Sequence, residues 1–425
     1  MSHAPVSLPE IAIAGTGPAG TIAAILLARA GASVTLVGRP PVADRVEGAS
    51  MRLVAAMCAQ RLATEGLGPL VERSVQWGAL TGAPNREHRL SRRAFDAALI
   101  EQAAATGVRV ITTGIARLRP GVITTTDGTE IRAALVFEAR GRRAPVAATR
   151  LRGTPTVSIA GFCEEDMPAA DVLALTDGWR WRIGGAGRAW VQVSVDADAA
   201  RDPAQVWARM TGATPVADLS VCASELRLSA PQLDPGLPRL GDAAVAMDPL
   251  SGHGLFWALG SALMAVPLAD ALSRGETALA AQFYRDRVVG TFQRQARVGR
   301  DFYRAAGLDG PFWARRSAWP DDLPAETPPP ATPCLDRRVV VRGGRLTEAD
   351  VLVTPHDPDG AAFVGGVEIA PVLARLPRGP LPDRAAFAER ILPDVPPAVA
   401  GRVHDWLAER GVTTAPARKH KEVHP

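Results

Sequence analysis

The feature that most constrains this chain is a glycine cluster almost at its N-terminus. Between two short apolar runs, Ile11 to Ala14 and Ser33 to Val37, stand Gly15-Thr16-Gly17-Pro18-Ala19-Gly20 and a small-residue stretch, Thr21 to Ala30, with helical texture. The pattern predicts a strand, a tight turn, a helix and a second strand. Gly15 permits the turn, Gly17 lets a pyrophosphate approach the backbone, and Gly20 lets helix and strand pack closely. Unpaired N–H groups at the start of the helix then face the phosphates. The unit predicts a dinucleotide site; the plainer alternative is a loop joining two ordinary elements. The acidic residue that usually ends the second strand and binds the ribose is missing. Its place falls near Gly38, beside Arg39, so ribose recognition is expected to use backbone groups or Arg39.

A chain of 425 residues exceeds a single core, and at roughly 100–200 residues per domain two or three domains are expected. Hydrophobic residues make up 47% and charged residues 22%, a globular balance that excludes a fibrous or disordered chain. No uninterrupted apolar stretch approaches the roughly 20 residues that span a bilayer, so no membrane association is expected. Met1 to Glu10 lacks a basic segment followed by a continuous apolar one, which predicts a cytoplasmic protein without a signal peptide. Cys58, Cys163, Cys222 and Cys334 form no C-x-x-C pair, so neither a metal site nor a disulfide framework is expected. The net charge of +4 conceals an asymmetry: all but two of the 48 basic residues are arginine, and the lysines are Lys419 and Lys421, at the end of the chain. Schiff-base chemistry is therefore excluded from the folded body.

Further along, Arg92-Arg93-Ala94-Phe95-Asp96 opens a predicted helix to Gly107. Val108 to Thr113, Gly121 to Thr125 and Ala134 to Phe137 read as strands, the last ending in Glu138-Ala139-Arg140-Gly141-Arg142. From about 150 to 236 the texture alternates, as in Trp179-Arg180-Trp181-Arg182-Ile183, which predicts a sheet with one covered face. Helical segments run from Leu255 to Gly307, and Pro328-Pro329-Pro330 marks a linker. Beyond it, Val339 to Val341, Val351 to Thr354 and Ala361 to Val367 read as strands, followed by helices from Asp383 to Ile391 and Pro397 to Arg410. This last part reads either as a winged-helix-like recognition module or as a packing domain. Only the short basic tail Arg418-Lys419-His420-Lys421 would favour DNA, so no nucleic acid partner is expected.

The most informative segment is Gly241-Asp242-Ala243-Ala244-Val245-Ala246-Met247-Asp248-Pro249-Leu250-Ser251-Gly252-His253-Gly254. With Gly15, Gly17 and Gly20, it resembles the FAD-dependent monooxygenases of the para-hydroxybenzoate hydroxylase type. That superfamily includes the tryptophan halogenases and the flavoproteins that mature quinone cofactors, and the chain is most similar to the last of these. The resemblance implies an α/β fold. Its Rossmann-like FAD-binding domain would comprise 1–55, 90–150 and 236–320, and its inserted antiparallel-sheet substrate domain 56–89 and 151–235. A proline-rich linker, 320–334, and a small C-terminal α+β domain, 335–425, would follow.

The resemblance also assigns roles. Gly15, Gly17, Pro18, Ala19 and Gly20 would hold the FAD pyrophosphate, and Asp242 a ribityl hydroxyl. Pro249 would lie near the isoalloxazine, and the turn Gly252-His253-Gly254 would start a helix whose N-terminus suits the flavin N1–C2=O edge. His253 either tunes flavin or substrate or points to solvent. Arg92 matches an arginine on the phosphate side of the cofactor, unless it only opens a helix. Glu47, in Glu47-Gly48-Ala49-Ser50, permutes a G-E-S element beside the flavin and is a candidate acid/base residue or an ordinary loop carboxylate. Glu138-Ala139-Arg140-Gly141-Arg142 resembles the D-A-T/S-G-R element of halogenase and prenyl-reductase relatives. A durable NADPH site is not implied, and electrons would come from NAD(P)H directly or from a separate flavin reductase.

Trp179-x-Trp181-x-Ile183 is similar to the halogenase W-x-W-x-I-P, with Gly184 where the proline belongs. Those halogenases use a lysine between flavin and substrate, and the body of this chain has none, so halogenation is disfavoured. The tryptophans are then a sheet face against substrate or core. Monooxygenation remains: reduced flavin and O2 would form a C4a-hydroperoxide that oxygenates an electron-rich arene held in a dry site. The resemblance makes that arene a peptidyl tryptophan in a polypeptide subunit, hydroxylated during biogenesis of cysteine tryptophylquinone. A prenyl-chain reductase and a non-catalytic flavin-binding scaffold are the alternatives.

Overall fold

The glycine-rich turn opens a four-stranded, all-parallel sheet ordered Leu135–Glu138, Ile11–Ala14, Val34–Val37, Arg109–Ile111. The computed structural model of the chain describes residues 8–40, 44–82, 85–167, 169–185, 187–320, 331–377, 379–412, 414 and 416. Lys419, Lys421, the basic tail and Pro328 to Pro330 lie outside the described residues. The chain divides into two units, between Leu323 and Pro324.

In the first unit both central strands, Ile11–Ala14 and Val34–Val37, are buried along their whole length, as expected of parallel strands covered on two sides. One face carries the helices Pro18–Arg29, Arg92–Ala105 and Gly254–Leu263, whose Ile22, Ile25, Leu99 and Leu259 share one core with Ile11 and Leu36. The other face, with Ala12, Ala14 and Val136, meets Ile123 of a three-stranded sheet, Ile115–Arg119, Val122–Thr125 and Glu130–Arg132.

This unit also holds a small sheet of Leu151–Arg152, Arg227–Leu228 and Val245–Ala246, and a nine-stranded one. Its order is Ser220–Ala223, Thr156–Glu164, Arg188–Asp196, Gly178–Gly185, Ala170–Leu175, Leu67–Trp77, Asn85–Ser91, Val46–Ser50, with Leu80–Thr81 paired to Leu67–Trp77. The sequence predicts an antiparallel sheet, and all but one of its pairs are antiparallel. The exception is Ala170–Leu175, which runs parallel to Leu67–Trp77, so the sheet is mixed. Val46–Ser50, grouped from sequence with the nucleotide-binding part, hydrogen-bonds into this sheet instead. Gly48 leaves room for a buried carboxylate, since a Cβ there would stand 2.5 Å from the Glu87 carboxylate on the neighbouring strand.

One face of the sheet is covered by the helix Pro203–Thr211, whose Trp207 is fully buried against Ile159, Val191 and Val193. On the other face Trp77 and Trp179 join Tyr303, Phe312 and Trp313 in an aromatic cluster, with Trp77 and Trp313 edge to face at 5.3 Å. Trp179 is therefore core, while Trp181 is half-buried and donates from Nε1 to Glu87 at 3.2 Å. Gly184, which replaces the halogenase proline, has a structural cause: a Cβ there would lie 1.8 Å from the Met167 carbonyl oxygen.

The helical stretch after Leu255 is three helices, Gly254–Leu263, Ala265–Ser273 and Thr277–Ala305, the last two separated by Gly275 at φ +74°. Contrary to the sequence count, Gly254–Ser273 is long and apolar enough to cross a membrane. It is 72% buried within the protein, as a core helix would be.

The second unit, described by itself, is a long hairpin, Cys334–Arg342 with Arg345–Val353, and a short one, Phe363–Val364 with Val367–Glu368. Helices Ile369–Ala374, Arg384–Arg390 and Pro397–Glu409 follow. The single strand expected over Ala361 to Val367 turns back on itself because Gly365 and Gly366 adopt φ of +58° and +83°. Phe387, Val403 and Leu407 are fully buried in its core with Leu352.

Candidate functional site

Three loops separated widely in sequence converge at the C-terminal end of the parallel sheet. The first is Gly15–Gly20. Gly15 sits at φ +121°, where a Cβ would stand 2.3 Å from the Ala139 carbonyl oxygen, and one on Gly20 would be 2.0 Å from that of Gly15. Gly17 differs, since a Cβ on it would meet nothing within 4 Å. Two glycines thus close the packing and the third faces open space. Behind it the helix Pro18–Arg29 begins with no side-chain cap and no acidic residue in its first turn, leaving its N–H groups for an anion.

The second loop is Glu138-Ala139-Arg140-Gly141-Arg142. Glu138 is buried and bound by Arg140, with Nη2 to Oε2 at 2.6 Å and the Arg140 amide to Oε1 at 2.9 Å. Its charge is matched within the loop. Arg142 ties the loops together: Nη1 donates to the Glu225 carbonyl at 3.0 Å, Nη2 to the Met247 carbonyl at 2.6 Å, and Nε lies 3.7 Å from Asp242 Oδ2.

The third loop holds Asp242. Gly241 adopts φ +56°, its amide donates to Ser261 Oγ at 2.8 Å and its carbonyl accepts from Trp257 Nε1 at 3.1 Å. The helix Gly254–Leu263 thereby fixes the turn that presents Asp242. Partial burial raises the Asp242 carboxyl above its ordinary range, against the pull of Arg142. Pro249 opens a short helical turn, Pro249–Ser251, which ends at Gly252 with φ +60°. Positions 252 and 254 face open space, and the helix beginning at Gly254 has no side-chain cap. Flavin chemistry fits this set: a glycine cradle and uncapped helix for phosphates, a carboxylate for a sugar hydroxyl, and a second uncapped helix for an anionic ring edge.

His253 is exposed, with its ring edge-on to Phe256 at 6.4 Å. Desolvation and the nearby Arg52 lower its imidazole below the ordinary histidine range. Arg92 does more than open a helix: its side chain is 5% exposed and forks onto Asp96 at 3.0 and 3.1 Å while also holding Glu47. Burial works to raise the Glu47 carboxyl, but Arg92 and Arg45 outweigh it and hold the group below the ordinary carboxylate range. Glu47 is an ion-paired carboxylate. Arg39 is exposed at the end of Val34–Val37, its carbonyl accepting from Thr16 Oγ1 at 2.9 Å. The missing acidic residue has a steric reason, since a Cβ at Gly38 would come within 3.1 Å of Thr16.

Sequence reasoning missed Glu87. It is buried beside Trp181 and accepts from Arg73 Nη1 at 3.0 Å. Its signal was a carboxylate at an inward position of an alternating strand, Asn85–Ser91, visible only once the register is known. Among the described residues no three His, Cys, Asp or Glu side chains gather as metal ligands.

No family model and no curated protein matches the chain. Among solved structures, it is similar to the peptidyl tryptophan dihydroxylase QhpG, which is essential for tryptophylquinone cofactor biogenesis. The identity is 33%, over 95% of this chain and 100% of that one, with a TM-score of 0.73. The chain belongs to the family of FAD-dependent monooxygenases that includes QhpG. Its members are oxidoreductases that use FAD, as the glycine turn and the Asp242 loop lead one to expect. The flavin-dependent halogenase CmlS shares the fold at 17% identity over 97% of this chain and 99% of that one, TM-score 0.66. So does pqsL of Pseudomonas aeruginosa, a probable FAD-dependent monooxygenase, at 18% identity over 73% and 98%, TM-score 0.57.

Proposed function

We propose that the chain hydroxylates a tryptophan within a polypeptide, as a step in building a tryptophylquinone cofactor. The observation that carries this reading is the 33% identity to the peptidyl tryptophan dihydroxylase, sustained over 95% of the chain. The parallel sheet with its helices is the FAD-binding part, and the nine-stranded sheet is the substrate part.

In this reading Gly17 and the start of the helix Pro18–Arg29 receive the pyrophosphate, Arg39 lies on the ribose side, and Asp242 accepts from a ribityl hydroxyl. Pro249, Gly252, His253 and Gly254 border the ring system. FAD, when bound and reduced, supplies the activation of O2. The chain's own residues position and exclude. Arg92, held by Asp96 and Glu47, fixes the helix that supports the site. The sheet face with Trp181, held in place by Glu87, offers an aromatic surface to an indole. With Glu138 engaged by Arg140, electrons come from transiently bound NAD(P)H or from a separate flavin reductase.

The reading is tested by incubating FAD-loaded protein, a reductant and O2 with a tryptophan-bearing candidate subunit. Coupled turnover should add oxygen to one tryptophan. Oxygen consumed without any mass gain on the polypeptide would count against it.

A further inference from the structure

Behind the Asp248–Gly252 turn lies a partly open chamber of about 30 Å3. That volume holds a water, which needs roughly 10–15 Å3 and two to four polar partners. The walls supply them: Asp248, Thr156, Gln295, Tyr303 and Arg316. Arg316 is 4% exposed, with Nη1 bound to Asp196 at 2.7 Å and Nη2 to Thr156 Oγ1 at 2.6 Å. Its Nε is buried and has no partner in the protein.

Asp248 faces the same chamber with directed hydrogen bonds. Trp179 Nε1, which can only donate, gives its proton to the Tyr303 oxygen at 3.3 Å, and the Tyr303 hydroxyl donates to Asp248 Oδ2 at 3.1 Å. Oδ1 accepts from the Leu250 amide at 2.9 Å. Each oxygen retains a free lone pair. Outward, Gly153, Thr154 and Trp319 are shared with a surface groove that also includes Arg152 and Arg315. The chamber thus lies between bulk solvent and the residue preceding Pro249.

We propose that the chamber is a water site through which Asp248 exchanges protons between the reaction site and solvent. The inference rests on the hydroxylase reading and adds to it a proton path. Insertion of one oxygen breaks an arene C–H bond and the O–O bond and forms C–O and O–H bonds. Two electrons come from a reduced nicotinamide, and the second oxygen atom leaves as water. The balance takes up one proton from solvent for each oxygen inserted, and a site that excludes water needs a route for it. Asp248 relays that proton by way of chamber water; Tyr303 and Leu250 position its carboxylate.

The charged and titratable groups facing Asp248 are Tyr303 and Arg300 from Thr277–Ala305, Arg316 from Pro311–Ala318, and Arg142 from Gly141–Arg143. Removal from water raises the Asp248 carboxyl, despite the hydrogen bonds from Leu250 and Tyr303, and burial raises Tyr303 well above its usual range. Asp248 delivers the proton from its protonated form, so the activity that depends on it is present below its raised pKa and lost as pH rises through it.

The test uses full-length, FAD-loaded wild type, Asp248→Asn and Ala296→Leu with the acceptor polypeptide, alongside a high-resolution crystal structure of the wild type. The structure should show an ordered water in the chamber within hydrogen-bonding distance of the Asp248 carboxylate. In Asp248→Asn, kcat should fall about 100-fold, in the range of general acid–base catalysis, with KM and FAD affinity unchanged and the loss of activity with rising pH that Asp248 causes gone. Ala296→Leu, which fills the chamber and keeps Asp248, should lower kcat and raise the solvent isotope effect. A dry chamber, or an Asp248→Asn enzyme that keeps the same loss of activity with rising pH, would overturn the proposal. Failure of the hydroxylase reading is separate: the wild type then oxygenates no polypeptide although the chamber water is seen.

Discussion

Gly241 and Ala19 stand so close that a Cβ at position 241 would lie 2.6 Å from Ala19 Cβ. This contact brings the loop carrying Asp242 onto the first turn of the helix that follows the glycine cluster. Two motifs more than two hundred residues apart therefore form one site, and neither can shift without the other.

Gly241→Ala adds both a steric conflict with Ala19 and a side chain at φ +56°. Overpacking of this kind costs about 1–3 kcal/mol. The variant should lose FAD affinity together with thermal stability, read by flavin fluorescence and by the melting temperature of the apoprotein.

The three glycines of the N-terminal turn should separate in the same assays. Gly17→Ala meets nothing within 4 Å and keeps an ordinary φ of −74°, so the apoprotein should melt as the wild type does while FAD binding weakens. Gly20→Ala would press on the Gly15 carbonyl at 2.0 Å and should destabilise the apoprotein itself.

How much of this was legible beforehand follows from the kind of interaction involved. The glycine turn and the Asp242 loop were readable because backbone geometry demands particular residues at fixed spacing. The parallel strands were readable as short apolar runs. The pairing of Val46–Ser50 with the large sheet was not, because strand partners depend on register, and the room Gly48 leaves for the Glu87 carboxylate is visible only once that register is known. The parallel pairing of Ala170–Leu175 escaped for the same reason. Arg92 was identified, but its grip on both Asp96 and Glu47 joins a helix to a strand and leaves no local trace.

That grip predicts a pH dependence. Glu47 is held below its ordinary range, so its ion pair contributes stability that is fully present above the unfolded-state pKa and is lost as pH falls through the lower, folded-state value. Glu47→Gln should flatten this part of the acid-unfolding curve. Arg92→Ala strands the buried Asp96 carboxylate and leaves Glu47 with Arg45 alone, and breaking a buried pair costs about 3–5 kcal/mol. A denaturant titration at neutral pH should show a loss of that size, larger than the loss for Glu47→Gln.

The halogenase-like fold invites a direct comparison. With bromide or chloride present, the enzyme should still add oxygen and no halogen to its substrate, because the described body of the chain has no lysine between flavin and sheet. Mass spectrometry of the product distinguishes the two outcomes.

The central claim, that this flavoenzyme oxygenates a tryptophan held in a polypeptide, is tested most directly with isotopically heavy dioxygen. FAD-loaded enzyme, reductant and the candidate subunit should yield a peptide in which one tryptophan carries heavy oxygen, and replacing that tryptophan by phenylalanine should abolish the label. Label appearing only in water or peroxide, with the tryptophan unchanged during verified turnover, would contradict the account.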